Sequence, residues 1–218
     1  SMDLTNLPFL EYIAASGAPI VLSTGMGEMD EIVKAVKTIN KAGNHNVCLL
    51  HCTSIYPPEI STIRLKNILG LREQFPDCAI GYSDHSIGIE IASAAVALGA
   101  CMIEKHFTLD NSKIGIDNQM ATEPGEMAKL VKNCHNVQLA LGSEERIVFS
   151  AEIEQRQNMR RSIVVTHDLF TGDIIEPEDL DVKRPGTGLP PEKMNHLVGK
   201  ILKRDVVGDT LITEADID

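Results

Sequence analysis

Side chains able to do chemistry fall in four short strings: Ser23-Thr24, His51-Cys52-Thr53-Ser54 with Tyr56, Ser83-Asp84-His85, and Glu104-Lys105-His106. Each string closes an apolar run of strand length. Side chains on a strand alternate faces with period two, so Ser83 shares a face with His85, and Glu104 with His106. Two imidazoles and a carboxylate on neighbouring strand ends suit one divalent metal ion, with imidazole as the borderline ligand. Each histidine also has a plainer reading as a hydrogen-bonded structural residue. Ser23 and Thr24 before Gly25 serve as helix caps as readily as phosphate ligands. Tyr56-Pro57-Pro58 taken alone is a turn, and Arg160-Arg161 and Lys183-Arg184 taken alone are solvated charges. Residue types and spacing thus reach a metal-assisted α/β site and no particular substrate.

The elements that must position these strings follow from periodicity. Apolar runs at 19–23, 47–51, 79–83 and 101–106 read as four strands. Between them, Met29, Ile32, Val33, Val36 and Ile39 recur at helical spacing and end at Gly43. A second helix spans about 65–75 and is closed by Pro76, and an Ala-rich third ends near Gly99. A fourth carries Met127, Leu130, Val131, Cys134 and Val137 on one face and stops at Gly142. Residues 6–15 read as one more helix, with Pro8 in its first turn. Four strand–helix units with near-continuous apolar strands imply a parallel sheet buried on both faces. They make half of an eight-stranded barrel or a short doubly wound sheet, and ligands bind beyond the carboxyl ends of such strands. A chain that opens on a helix belonging to an absent strand reads as a fragment.

Residues 143–159 are charged and without a clean period, which suits a linker. Beyond them, short β-branched runs at 162–165, 173–175, 180–183 and 210–212 are separated by turn residues such as Pro185-Gly186-Thr187-Gly188. They form a small, mostly β domain over 160–218, near the lower size limit for an independent core. Lys plus Arg number 20 against 31 Asp plus Glu, a net charge of -11, so a nucleic-acid partner is not expected. No apolar run approaches the roughly 18 residues of a membrane span. The opening Ser1-Met2-Asp3-Leu4 lacks the features of a signal peptide, so a cytoplasmic location is the default expectation. The five cysteines are odd in number and mostly lie in apolar runs, so they read as reduced, buried thiols.

Taken in order, Leu22-Ser23-Thr24-Gly25-Met26, Leu50-His51-Cys52-Thr53-Ser54-Ile55-Tyr56-Pro57, Gly81-Tyr82-Ser83-Asp84-His85 and Glu104-Lys105-His106-Phe107-Thr108 closely resemble the sialic acid (N-acetylneuraminate) synthases and their legionaminic and pseudaminic acid relatives. The tail, with Lys183-Arg184-Pro185-Gly186-Thr187-Gly188, resembles the antifreeze-like SAF (β-clip) domain of that family. The resemblance implies a TIM-type (β/α)8 barrel of which residues 1–142 supply strands five to eight, followed by the SAF domain. The catalytic lysines and the glutamate of the family's first half have no counterpart here, so the chain alone is expected to be inactive. The implied reaction condenses phosphoenolpyruvate with an N-acylated mannosamine-type sugar and releases phosphate. His85 and His106 match the family's metal ligands, for manganese or magnesium. Ser23, Ser54 and Ser83 match positions that bind phosphoenolpyruvate, while Tyr56, Glu104 and Asp117 match positions that contact the sugar or assist proton transfer. Arg184 matches a position that reaches the sugar in the neighbouring subunit of a domain-swapped homodimer. Two departures bear on substrate choice: Ser54, where some members have Asn, and the loop from Ile114 to Gln119, where many have Gly-Pro-Asp-His.

Two other function classes fit part of the pattern. A metal-dependent aldolase or isomerase would explain the histidines and the glutamate without a SAF tail. A non-catalytic binding module, for carbohydrate or for ice, would use the tail alone. Ice binders favour flat, sparsely charged surfaces, and Lys183, Arg184 and the nearby acids argue against one.

Overall fold

The run Val47–Cys52 (β2) has all six side chains buried in the computed structural model, which describes residues 1–218. A strand covered on both faces needs no polar alternation, hence the unbroken apolar text. Ile20–Ser23 (β1) and Ala79–Asp84 (β3) flank it, and Ile103–Lys105 (β4) follows β3. The four strands are parallel in the order β1-β2-β3-β4. This is the α/β sheet expected from the alternating pattern. Cys52 lies opposite Ser83, and Ser83 opposite Glu104, so the polar strand ends line up along one edge.

The helices are Leu7–Ala14 (α1), Met29–Lys41 (α2), the short Ile60–Ile63 (α3), Asn67–Gln74 (α4), Glu90–Ala97 (α5) and Pro124–Leu141 (α6). α1 starts where the Asn6 side chain accepts the Phe9 N–H at 3.4 Å, satisfying one of the donors a helix leaves unpaired. α2 buries Ile32, Val36 and Ile39 of the stripe its spacing announced, together with Ala35, while Val33 is partly buried and Met29, in the first turn, is exposed. The buried four meet Leu22, Leu49, Ile80 and Tyr82 from one face of the sheet, together with Ile68 and Leu71 of α4. Gly81 lies where β3 and the start of β4 approach closely: a Cβ there would come within 2.7 Å of the Met102 carbonyl.

β4 is shorter than the run from 101 to 106 suggested. Cys101 and Met102 are exposed, and only three residues join the ladder. An edge strand has one hydrogen-bonding neighbour, so apolar text alone does not extend it.

The chain divides into two units, Ser1–Ser143 and Glu144–Asp218. In the second, Ser150–Met159 (α7) is helical although its text shows no period. It buries no residue, and helix-forming Ala, Glu, Gln and Arg sustain it without an apolar stripe. Ser162–Val165 (β5) and Leu180–Lys183 (β6) pair antiparallel. The runs expected as strands at 173–175 and 210–212 form only single bridges, Ile174 with Ile201 and Val164 with Leu211. From these runs Ile175 and Ile212 still enter a core with Ile163, Val165, Leu202 and Ile217, while Ile174 is exposed, and Met194–Leu197 (α8) adds Leu197. In so small a unit, burial rather than ladder pairing organises the loops. No helix of the chain is long and apolar enough to cross a membrane.

Candidate active site

The face of the sheet turned away from the helical core borders a cleft of about 720 Å³. Period two decides which side chains enter it. Leu49 and Tyr82 face the core, so Leu50 and Ser83 face the cleft, followed by His85, Glu104 and His106. At the edge strand β1, Ser23 joins them, and the core residues Ile20 and Leu22 also reach the cleft wall, beside Leu10 and Ile13 of α1. Ser54 and Tyr56, from the loop after β2, complete its wall.

Contacts within the cleft are close. The Ser83 hydroxyl donates to Glu104 Oε1 at 2.6 Å across the β3–β4 register. The rings of His85 and His106 meet edge to face, with centroids 5.1 Å apart and planes at 83°. Tyr56 lies over His85 at 4.1 Å and near His106 at 5.7 Å. Asp117 Oδ2 is 3.8 Å from His106 Nδ1. Ser23 meets the Ser1 hydroxyl at 2.8 Å. The structure therefore brings Ser23, Ser54, Tyr56, Ser83, His85, Glu104 and His106 to one cleft, with Asp117 beside it. Arg184 belongs to the second unit, where it is exposed and its guanidinium contacts Met159 Sδ at 3.8 Å.

The donor set for a metal is partial. No group of three His, Cys, Asp or Glu side chains converges at metal-binding spacing. His85 Nδ1–H is shared between the Thr53 carbonyl at 2.9 Å and Cys52 Sγ at 3.9 Å, which fixes the ring and leaves Nε2 as its free nitrogen. Burial opposes a charge on His85, but the bonds to Cys52 and Thr53 outweigh it and hold the imidazole above its usual value.

Residues 1–146 match the NeuB family, and residues 160–218 match the SAF domain. The chain belongs to the NeuB family. The resemblance carried by the strand-end strings is thereby borne out. This NeuB chain is 39% identical to the N,N'-diacetyllegionaminic acid synthase of Legionella pneumophila, over 98% of its own length and 61% of that protein's. It is 40% identical to the Homo sapiens N-acetylneuraminate-9-phosphate synthase, over 100% of its length and 61% of that protein's. It thus spans about three fifths of these relatives. Among solved structures, the sialic acid synthetase of Leptospira borgpetersenii in complex with citrate is similar at a TM-score of 0.66 and 40% identity, over 71% of this chain and 53% of that one.

Two features of this NeuB site escaped the sequence reading. The cysteines do not share one environment. All five are free, yet Cys101 is exposed, and Cys52 is buried within reach of His85, Ser54 and Ser1, which line the cleft. Burial pushes the Cys52 thiol up, but hydrogen bonds from His85, Ser23, Ser54 and Ser1 bring it down to about 6. On the same strand, Cys48 is pushed up to about 12 by burial and by Cys101. The clue was period two: Cys52 shares its face with Leu50, and the register sets it beside Ser83. The second feature is Lys105. It stands between two cleft residues but turns away from them, into a buried pair with Asp84. His51 likewise turns away, donating from Nε2 to the Ile63 carbonyl at 2.6 Å and stacking near Tyr82.

Proposed function

We propose that this chain is part of a nonulosonic acid synthase that condenses phosphoenolpyruvate with N-acetylmannosamine or a related N-acyl sugar and releases phosphate. The observation that carries the reading is the meeting of Ser83, Glu104, His85, His106 and Tyr56 in one cleft of a NeuB-family chain. On this reading the four parallel strands are strands five to eight of an eight-stranded barrel, and the chain by itself is inactive.

The roles follow from the groups available. Ser23, Ser54 and Ser83 hold the phosphate and carboxylate of phosphoenolpyruvate through hydroxyl donors. Glu104 has one oxygen engaged by Ser83, which orients its other oxygen to hold or move a proton at the sugar hydroxyls or the attacking water. Tyr56 and Asp117 position the sugar. Burial and the charge at Cys52 keep the Tyr56 phenol protonated and able to donate. A divalent cation, manganese or magnesium, would take His85 and His106 as protein ligands and supply Lewis acidity toward the sugar aldehyde. Arg184 reaches the sugar site of a second subunit in a domain-swapped homodimer.

The deciding experiment is phosphate release from phosphoenolpyruvate with N-acetylmannosamine and manganese, by the polypeptide with its remaining barrel strands restored. One phosphate per nine-carbon acid is expected, and aldol chemistry without phosphate release would replace this reading. Arg184→Ala should lower sugar-dependent turnover by one to two powers of ten, as expected for losing a hydrogen bond to a charged group worth roughly 1.5–3 kcal/mol. Mixing that variant with His85→Ala/His106→Ala subunits should restore activity. No recovery after verified subunit exchange rules out the shared site.

A further inference from the structure

At the ends of β3 and β4, residues facing the cleft alternate with residues facing away, and those facing away form a closed network. Lys105 Nζ donates to Asp84 Oδ2 and to the Ser86 carbonyl, both at 2.7 Å. Asp84 Oδ1 accepts the Ser86 N–H at 2.9 Å, the Ser86 hydroxyl at 2.7 Å and the Tyr82 hydroxyl at 3.1 Å. The Lys105 and Asp84 side chains are only 2% and 0% exposed. A buried ion pair adds little stability for its desolvation cost, because taking two charges out of water cancels much of their attraction. Its placement suggests another use. Asp84 sits between Ser83 and His85, Lys105 sits between Glu104 and His106, and the two are register partners. β4 has three ladder residues, and beyond Lys105 the backbone bonds of His106 and Thr108 go to Thr122 rather than to β3, so the ladder itself does not tie the last cleft residues of the two strands together.

We infer that the Lys105–Asp84 pair is a positioning device, locking Ser83 and His85 against Glu104 and His106. Lys105 is the element that crosses from β4 to the β3 end and to the turn beyond it. Both side chains are shut away from the cleft, so neither touches substrate. Without the cross-tie, the 2.6 Å Ser83–Glu104 bond and the facing imidazoles lose their common frame. For its ligand measurement this inference rests on the active-site reading above; its geometric measurement does not.

Two variants of residues 1–218 test it. Lys105→Met leaves Asp84 buried without its cation, so it should lower the melting temperature and disturb the cleft together. Asp84→Asn/Lys105→Met removes both charges while keeping an acceptor for Ser86 and Tyr82, and should melt like the wild type. In that double variant, manganese binding, read from the electron paramagnetic resonance of the free ion, should weaken about 10- to 100-fold, the usual cost of losing a partner that orients a ligand. Its crystal structure should show the Ser83–Glu104 hydrogen bond broken. A double variant that binds manganese like the wild type and keeps that bond would overturn the inference and leave the pair a structural one. Should the wild type itself bind no manganese, the metal reading falls, and the Ser83–Glu104 distance alone decides for or against positioning.

Discussion

The two units bury polar groups to different ends. In Glu144–Asp218 the buried polar side chains are Ser162 and Asp216, and both tie backbone together. The Ser162 hydroxyl donates to the Pro185 carbonyl at 2.7 Å and accepts the Gly188 N–H at 2.8 Å. Asp216 accepts the N–H and hydroxyl of Thr213, each at 2.7 Å, and pairs with Arg204. In Ser1–Ser143, Ser83 and His85 are equally buried, yet both border an open cleft. Polar groups in the second unit substitute for regular ladders in a loop-rich core. The first unit has such ties too, as where Asn44 donates to the Ala18 carbonyl and accepts the Asn46 N–H, but Ser83 and His85 stand at a strand end where the ladder already fixes the backbone, which frees them to meet a ligand.

The largest way to break this comparison is through apolar burial. Leu49→Ala, at a fully buried position of β2, should cost about 2–5 kcal/mol by loss of transfer energy and creation of a cavity. All three tyrosines (Tyr12, Tyr56 and Tyr82) lie in the first unit, so near-ultraviolet circular dichroism reads that unit directly. Asp216→Ala comes next: leaving the Thr213 donors unpaired should cost roughly 1–3 kcal/mol, measured by hydrogen exchange in residues 144–218. Ser83→Ala should move stability by less than about 1 kcal/mol, because exposed Glu104 regains water. If Ser83→Ala destabilises as strongly as Asp216→Ala, the distinction between site and scaffold fails.

Acid sharpens the contrast more gently. His51 is held below its usual 6.5 by burial, against the pull of the Ile63 carbonyl. Its unfolded form therefore binds a proton first, so its share of stability is complete above about 6.5 and is lost as pH falls through the lower folded value. His85, held above its usual value, titrates with the opposite sign, so the His51 share is read as the difference between wild type and His51→Gln. That difference should shrink from pH 7 to pH 5. In the second unit, burial opposes the charge on Asp216, but Arg204 and Thr213 hold it below the usual 3.8. Its contribution should persist through that whole range and fade only as pH drops below about 4. A His51-linked difference unchanged between pH 7 and pH 5 would remove the first half of this expectation.

Much of the fold was written in local text. The apolar run of β2, the stripe of α2 and the punctuation at Gly43 and Gly142 each report a choice made within a few residues of the chain. Period two also announced that Ser83 with His85, and Glu104 with His106, share faces. The same rule implied that Lys105 and Asp84 turn the other way, but no spacing could announce that they are buried as a pair at 2.7 Å.

What the sequence determined by itself is the order of elements and the face of each strand residue, because backbone sterics and side-chain alternation act between near neighbours. Tertiary structure decided the rest. It cut β4 to three residues, since an edge has one partner. It reduced the runs at 173–175 and 210–212 to single bridges inside a core that burial alone holds together. It set Cys52 and Cys48, four residues apart on one strand, at about 6 and about 12, because one meets hydroxyls and an imidazole while the other meets apolar surroundings and a second thiol. Register across β2, β3 and β4 depends on contacts between residues 31 and 21 positions apart, and the cleft exists only once that register is set.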